Sequence, residues 1–506
     1  MPYGTETLFG LMRAAAPDGE RAFIRTTGGL LLTYADMLAR SGQFANCLRA
    51  AGLGRGDRLA VQVEKSAEAI LLYLACLRMG AVYLPLNPAY TAAEMAYFLA
   101  DAEPACIVTT PKNEGAIDGI ADKSATVLTL ADDGKTGSLL ARSRDLPIDF
   151  DDVARVADDV AAILYTSGTT GRSKGAMLTE RNLASNARAL CELWRFMAND
   201  VLLHVLPIHH THGLFTATNT ILMAGASMIL LPKFDAEQIF AELPRATAFM
   251  GVPTFYTRLL GDRRLDRNAV AHMRLFVSGS APLLADTHRA WQARTGHAIL
   301  ERYGMTETNM IASNPYGGER IAGTVGFPLP GVDVRIADAE GGASLPAGET
   351  GMIEVRGPNV FKGYWRRPEQ TAAAFRDDGF FITGDLGKID ANGYLHIVGR
   401  AKDLVISGGF NVYPREIEME IDALPGVVES AVIGIPHPDF GEGVTAVVVC
   451  ETGAATGEAD LLAALRTRLA SFKLPKRVLF VDDLPRNAMG KVQKNVLRET
   501  WRNLYG

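Results

Sequence analysis

Cysteine is scarce. The five thiols, Cys47, Cys76, Cys106, Cys191 and Cys450, are odd in number and form no CxxC pair among 506 residues, which excludes a disulfide-stapled framework and a zinc ribbon. Long apolar runs are missing as well. The best candidate, residues 69–86, is broken by Arg78 and Gly80, so no segment reads as a membrane span. Neither sign of charge prevails: 51 basic side chains face 57 acidic ones, net −6, which argues against a general binder of nucleic acid or of membrane surfaces. Residues 1–20 lack the basic start and apolar run of a signal peptide. Together these absences lead to the expectation of a cytoplasmic protein with reduced thiols in its core.

What is present is an alternation. Residues 33–51 have helical apolar spacing and end at Gly52, 57–63 read as a strand, 67–79 as a helix, 80–86 as strand and turn, 91–101 as a helix and 106–109 as a strand. Such alternation implies α/β architecture with mostly parallel sheets and flanking helices. Residues 111–150 carry no legible pattern. Short strands between glycines over 332–356 suggest a small antiparallel barrel or sheet. The last hundred residues read as a small α+β unit, with helices at 415–423 and 459–470 and strands at 427–435, 443–450 and 477–481. A large domain over 1–400 and a small one over 401–506 are therefore expected, with the boundary at Gly399-Arg400-Ala401-Lys402.

The chemistry concentrates in a few stretches. Tyr165-Thr166-Ser167-Gly168-Thr169-Thr170-Gly171-Arg172-Ser173-Lys174 follows an apolar strand. Its glycines allow close approach to a ligand, and its N–H groups, hydroxyls, Arg172 and Lys174 can face phosphate oxygens. It is not a Walker A loop, because Ser173 and Gly175 stand where that motif needs Gly and Ser or Thr. Pro207-Ile208-His209-His210-Thr211-His212-Gly213 has three histidines but no nearby Cys, Asp or Glu. It reads as a substrate-pocket wall rather than a metal centre. Arg258 lies on a short helix over 253–260, and Ser278-Gly279-Ser280-Ala281-Pro282 is a tight turn after a strand.

In order along the chain stand the 166–174 loop, Tyr303-Gly304-Met305-Thr306-Glu307, Thr383-Gly384-Asp385, Gly399-Arg400-Ala401-Lys402-Asp403, Ser407-Gly408-Gly409 and Pro485-Arg486-Asn487-Ala488-Met489-Gly490-Lys491. This series resembles the acyl-adenylate-forming superfamily over essentially the whole chain. The resemblance implies a large N-terminal domain and a mobile C-terminal one. It also implies an AMP-forming acid–thiol ligase using ATP, Mg²⁺ and coenzyme A. It implies that Ser167, Gly168, Thr169, Thr170, Gly171 and Lys174 hold the β- and γ-phosphates, and that Thr166 and Glu307 hold Mg²⁺. Gly279, Ser280, Ala281 and Tyr303 would flank the adenine, with Glu301, Arg302, Gly304 and Met305 in the same nucleotide site. Thr306 would meet the α-phosphate and Asp385 the ribose, with Arg400 beside it. Lys491 would bridge the carboxylate and the α-phosphate, Lys402 would be the hinge, and Gly408 and Gly409 would line the pantetheine tunnel. No general base is needed, since the attacking carboxylate is already ionised.

The His-rich stretch, Arg258 and the 278–282 turn resemble malonate-activating members. A second, unreactive carboxylate needs a cation or several donors. Arg258 is the candidate, supported by Ser278 and His210, and Met305 would limit acyl size so that methylmalonate is a minor substrate. The alternative is a ligase for another short or aromatic acid. Acetylation of Lys491 by a protein lysine acetyltransferase would remove its charge and stop the first step.

Overall fold

The computed structural model describes residues 7–166, 173–338, 342–408, 410–451, 453, 457–487 and 490–506. Two large sheets form its centre. One has seven strands, in the order Gly363–Tyr364, Lys174–Thr179, Val160–Thr166, Val82–Pro85, Arg58–Gln62, Cys106–Thr109 and Thr126–Thr129. Its inner strands are parallel, pairing Leu59 with Tyr83 and Ala60 with Ile107. Every residue of Val82–Pro85 and Cys106–Thr109 is buried. That is why these strands read as unbroken apolar runs, as expected of a parallel sheet covered on both faces.

The nine-stranded sheet runs Phe327–Pro328, Asn309–Ser313, Leu300–Met305, Leu275–Ser278, Ala248–Gly251, Val201–His204, Ser227–Leu230, Ala22–Thr26 and Leu31–Thr33. Parallel pairing aligns Gly251 with Ser278 and Ser278 with Glu301. The carboxyl ends of three strands therefore open at one edge, where α/β sheets bind ligands. The helix Ala67–Met79 is buried at all 13 positions. Ser66 caps its start by accepting from Ala69 N–H, and Gly80, at φ 68°, ends it in the left-handed region. No described helix is long and apolar enough to cross a membrane.

Residues 333–400 build a four-stranded antiparallel sheet, Asp333–Ala337, Gly351–Arg356, Phe381–Ile389 and Leu395–Arg400. Its order leaves the outer strands apart, so it is an open sheet. It sets Asp385 directly opposite Arg400. The C-terminal sheet contains Val405–Ser407, Phe410–Val412, Val427–His437, Gly441–Cys450 and Arg477–Phe480. Val405, Ile417, Ile421, Val432, Val444 and Leu461 form its core. The stretch 111–150 holds short helices, Glu114–Ile120 and Ser138–Ser143, around the edge strand Thr126–Thr129. Elements this short leave no periodicity to read.

Candidate active site

Strand Val160–Thr166 pairs antiparallel with Lys174–Thr179, and Thr166 stands opposite Lys174 at the end of the hairpin that residues 167–173 connect. Residues 167–172, including Ser167, Gly168, Thr169, Thr170 and Gly171, lie outside the described residues. Both flanks are braced by the helix Ala92–Ala102. The Tyr165 hydroxyl donates to Asp101 Oδ2 at 2.6 Å, and the Tyr97 hydroxyl donates to the Ser173 carbonyl at 2.6 Å. Lys174 Nζ lies 4.8 Å from the centre of the Tyr364 ring. The Tyr364 hydroxyl donates to Glu307 Oε1 at 3.0 Å. Glu307 is buried, and burial raises its pKa.

A second paired group lies beside this one. Tyr303 donates to Asp385 Oδ2 at 2.5 Å, and Arg400 Nε meets Asp385 Oδ1 at 2.7 Å. Thr383 Oγ1 accepts from the Asp385 N–H at 3.0 Å. The following residue after strand Leu300–Met305, Thr306, is half-buried. Glu301 turns away from this cluster. Its carboxylate lies 3.4 Å from His288 Nδ1 and accepts from Gly323 N–H at 3.3 Å.

A third cluster is built of the turn after strand Leu275–Ser278 and the His-rich stretch. Ser280 has φ 72°, and its hydroxyl lies 3.1 Å from His212 Nδ1. A Cβ on Gly279 would stand 2.4 Å from Arg302 Cζ, so glycine there makes room for the guanidinium. Arg302 is 4% exposed. Its Nε and Nη2, together with Ser278 Oγ and the Nε2 atoms of His210 and His212, are buried without a hydrogen-bond partner among the described residues. Burial lowers the Arg302 pKa to about 9, so the group stays charged at neutral pH. Burial also holds His210 and His212 well below the usual imidazole range, His210 further lowered by His209 and His212 by Arg302. Residues His212–Thr218 form a π-helical turn, an irregularity that often marks a functional site and that no periodicity forecasts. Arg258 is exposed, and its recorded contact is the Phe234 ring at 5.6 Å. Gly304 allows close approach to the Asn309 carbonyl, 2.0 Å from an added Cβ, and half-buried Met305 ends the strand.

Lys491 comes from a hairpin of the C-terminal part. Asn487 Oδ1 accepts from the Lys491 N–H at 3.0 Å, and Arg486 Nη1 donates to the Gly490 carbonyl at 2.7 Å while its other arm pairs with Glu429. The Lys491 side chain keeps solvent access yet is surrounded by protein, as in a cleft. Burial lowers its pKa, and Arg400 lowers it further. Arg400 and Asp385 thus lie close enough to act on its charge. Lys402 is exposed in the short turn Ala401–Asp403, and Asp403 pairs with Arg498 at 2.8 Å. Gly408, at φ 59°, donates to the Phe440 carbonyl at 2.9 Å. Gly409, Ala488 and Met489 lie outside the described residues.

Polar clusters at parallel strand ends, a braced glycine-rich hairpin and a lysine from the C-terminal part fit a nucleotide-dependent enzyme. The chain belongs to the AMP-binding enzyme family, whose model matches residues 12–365, and the model of that family's C-terminal domain matches residues 416–491. It is similar to ATP-bound MatB from Rhodopseudomonas palustris, at 61% identity over 99% of this chain and 100% of that one, with a TM-score of 0.97. Against apo MatB from the same organism the TM-score is 0.86. A malonate–CoA ligase of Arabidopsis thaliana is 36% identical over 501 residues, 92% of this chain and 82% of that protein. A feruloyl-CoA synthase of an Amycolatopsis species is 38% identical over 476 residues, 93% and 94% of the two chains.

Proposed function

We propose that this chain is an AMP-forming acid–CoA ligase whose acid is malonate. The observation that carries the choice of acid is Arg302, a buried cation with unpaired N–H groups beside His212, Ser278 and Ser280. An uncompensated charge in the interior costs several kcal/mol, on the order of a lost buried ion-pair partner. A dicarboxylic acid supplies the missing anion, whereas an aromatic or fatty acid leaves it unmatched. Arg258, on the exposed side of its helix, serves as a second cation toward the acid. His210 adds an N–H, and Met305 limits the acyl group to a small branch such as methylmalonate.

One carboxylate of the acid attacks the α-phosphorus of ATP. The new O–P bond forms as the bond to pyrophosphate breaks, giving acyl-adenylate. Positioning and cationic stabilisation dominate such a step. The 166–174 loop holds the β- and γ-phosphates, Asp385 with Arg400 receives the ribose hydroxyls, Tyr303 and residues 279–281 flank the adenine, and Thr306 meets the α-phosphate. Glu307 and Thr166 offer the hard oxygen donors that Mg²⁺ prefers, and Tyr364 donates to Glu307 Oε1 and orients that carboxylate. Bound there, Mg²⁺ would neutralise phosphate charge. Lys491 bridges the acid and the α-phosphate oxygens. The thiol of coenzyme A then attacks the acyl carbon, and AMP leaves. For this step residues 401–506 act as a separate domain turning at Lys402, with Gly408 and Gly409 beside the pantetheine arm.

The cytoplasm is the proposed location, and acetylation of Lys491 by a lysine acetyltransferase is a proposed control. The test is a panel of mono- and dicarboxylic acids with ATP, Mg²⁺ and coenzyme A. Malonyl-CoA and AMP are expected to form fastest. Preference for a monocarboxylic acid would overturn the choice of acid, and no AMP with any acid would overturn the reaction.

A further inference from the structure

Lys65 is a buried titratable group that the proposed reaction does not use. It follows strand Arg58–Gln62 and stands just before Ser66, the cap of the buried helix. It is 7% exposed, and its Nζ lies 2.8 Å from the His204 carbonyl and 2.9 Å from His204 Nδ1. The ion pairs recorded among the described residues give it no carboxylate. Burial holds its pKa well below the ordinary lysine value. An amine in the interior without a counter-charge is costly to keep unless its hydrogen bonds are met.

His204 ends a strand of the other central sheet. With Nδ1 accepting from Lys65, its proton sits on Nε2, which donates to the Gly213 carbonyl at 2.9 Å. Thr218 Oγ1 donates to the same carbonyl at 3.0 Å. Gly213 packs closely on the preceding segment, since an added Cβ would stand 2.1 Å from the Pro207 carbonyl oxygen. Both Gly213 and Thr218 belong to the π-helical turn His212–Thr218, whose first residue meets Ser280 at 3.1 Å and feels the charge of Arg302.

We propose that Lys65 and His204 are positioning residues for the acid: a hydrogen-bonded strut between the two central sheets that fixes the His212–Thr218 turn and so the spacing of His212, Ser280 and Arg302. This inference rests on reading that cluster as the acid pocket. The test follows ATP–pyrophosphate exchange with the acid and ATP varied separately. Lys65→Met should raise the KM for malonate roughly tenfold, because a lost buried donor lets the pocket wall shift, while the KM for ATP stays put. Lys65→Gln, which keeps a neutral donor, should recover most of the loss. Lys65→Arg, which places a fixed charge in the same space, should not. A merely structural lysine would lower melting temperature and active fraction without separating the two KM values. Unchanged malonate KM in Lys65→Met, a parallel rise in both KM values, or better recovery by Arg than by Gln would overturn the strut. Should Lys65→Met fail to fold, His204→Gln against His204→Leu makes the same distinction. If the wild-type chain activates another acid, the malonate reading falls, and the same variants measured with that acid decide the strut.

Discussion

The two clusters that the proposed reaction gives to the nucleotide and to the acid are built on opposite terms. Asp385 already holds Tyr303 and Arg400, and Glu307 already holds Tyr364. On the proposed acid side Arg302 Nε and Nη2, Ser278 Oγ and the Nε2 atoms of His210 and His212 are buried with no partner among the described residues. Ribose hydroxyls are neutral and can join a network that is already paired. A carboxylate brings a full charge and several lone pairs, so it needs donors that nothing else has taken. Each unmet buried donor costs about 1–3 kcal/mol before the ligand arrives. Rigidity is therefore built into one half, and stored binding capacity into the other.

The largest test of this contrast removes the group that joins the halves. Lys491→Ala should lower adenylation by roughly 10²–10³-fold, the usual cost of losing one transition-state donor. Thioester formation from supplied acyl-adenylate should survive. Equal loss of both steps would break the division of labour. Arg302→Met comes next. It should raise the malonate KM by about tenfold or more, the worth of a hydrogen bond to a charged group, with the ATP KM unchanged. Its melting temperature should rise, because an unpaired buried charge has gone. A fall in melting temperature would mean that Arg302 has a protein partner after all.

The same contrast governs what the sequence disclosed. The proposed nucleotide side is made of contiguous motifs, so Tyr303, Glu307, Asp385 and Arg400 are nominated by their order, and the fold joins Tyr303 and Arg400 to Asp385. The parallel core was legible for a similar reason: Ser66 and Gly80 bracket an apolar run with strong local signals. The acid side is assembled from residues that meet in space without being neighbours in the chain. Arg302 read as one more residue of the nucleotide motif, because nothing local reveals that Gly279 clears space for its guanidinium. Arg258 drew attention as an arginine on a short helix; it is exposed beside the Phe234 ring, and nothing local in the sequence tells its part from that of the buried Arg302. Glu301 read as part of the same motif, and its carboxylate lies 3.4 Å from His288 Nδ1, a contact 13 positions away that the motif does not announce. The Lys65–His204 contact joins residues 139 positions apart and the His212–Ser280 contact residues 68 apart, beyond any periodicity.

A smaller effect sharpens the paired half. Tyr364→Phe removes a single hydrogen bond to Glu307, worth about 1 kcal/mol or several-fold. It should raise the Mg²⁺ requirement for AMP formation and leave the malonate KM alone. A change in malonate KM instead would mean that the two halves share their supports.

The smallest effect is one of pH on stability, and it has opposite signs in the two halves. On the acid side burial pushes His209 down to about 4, and holds His210 and His212 well below the usual range. Unfolded imidazoles titrate near ~6.5. Below that pH the unfolded chain binds more protons than the folded one, so this contribution is whole above ~6.5 and is lost as pH falls toward about 4. On the nucleotide side burial raises the pKa of Glu307. Its contribution is present below the unfolded carboxylate value of ~4.3 and is lost as pH rises through the folded one. Lowering pH from ~6.5 to ~4 should therefore depress the melting temperature chiefly through the histidines. His209→Gln should flatten that decline, whereas Glu307→Gln should leave it in place. Superimposable wild-type and His209→Gln curves would mean that the histidine wall stays wet, and the distinction between a dry acid pocket and a paired nucleotide cleft would fail at that position.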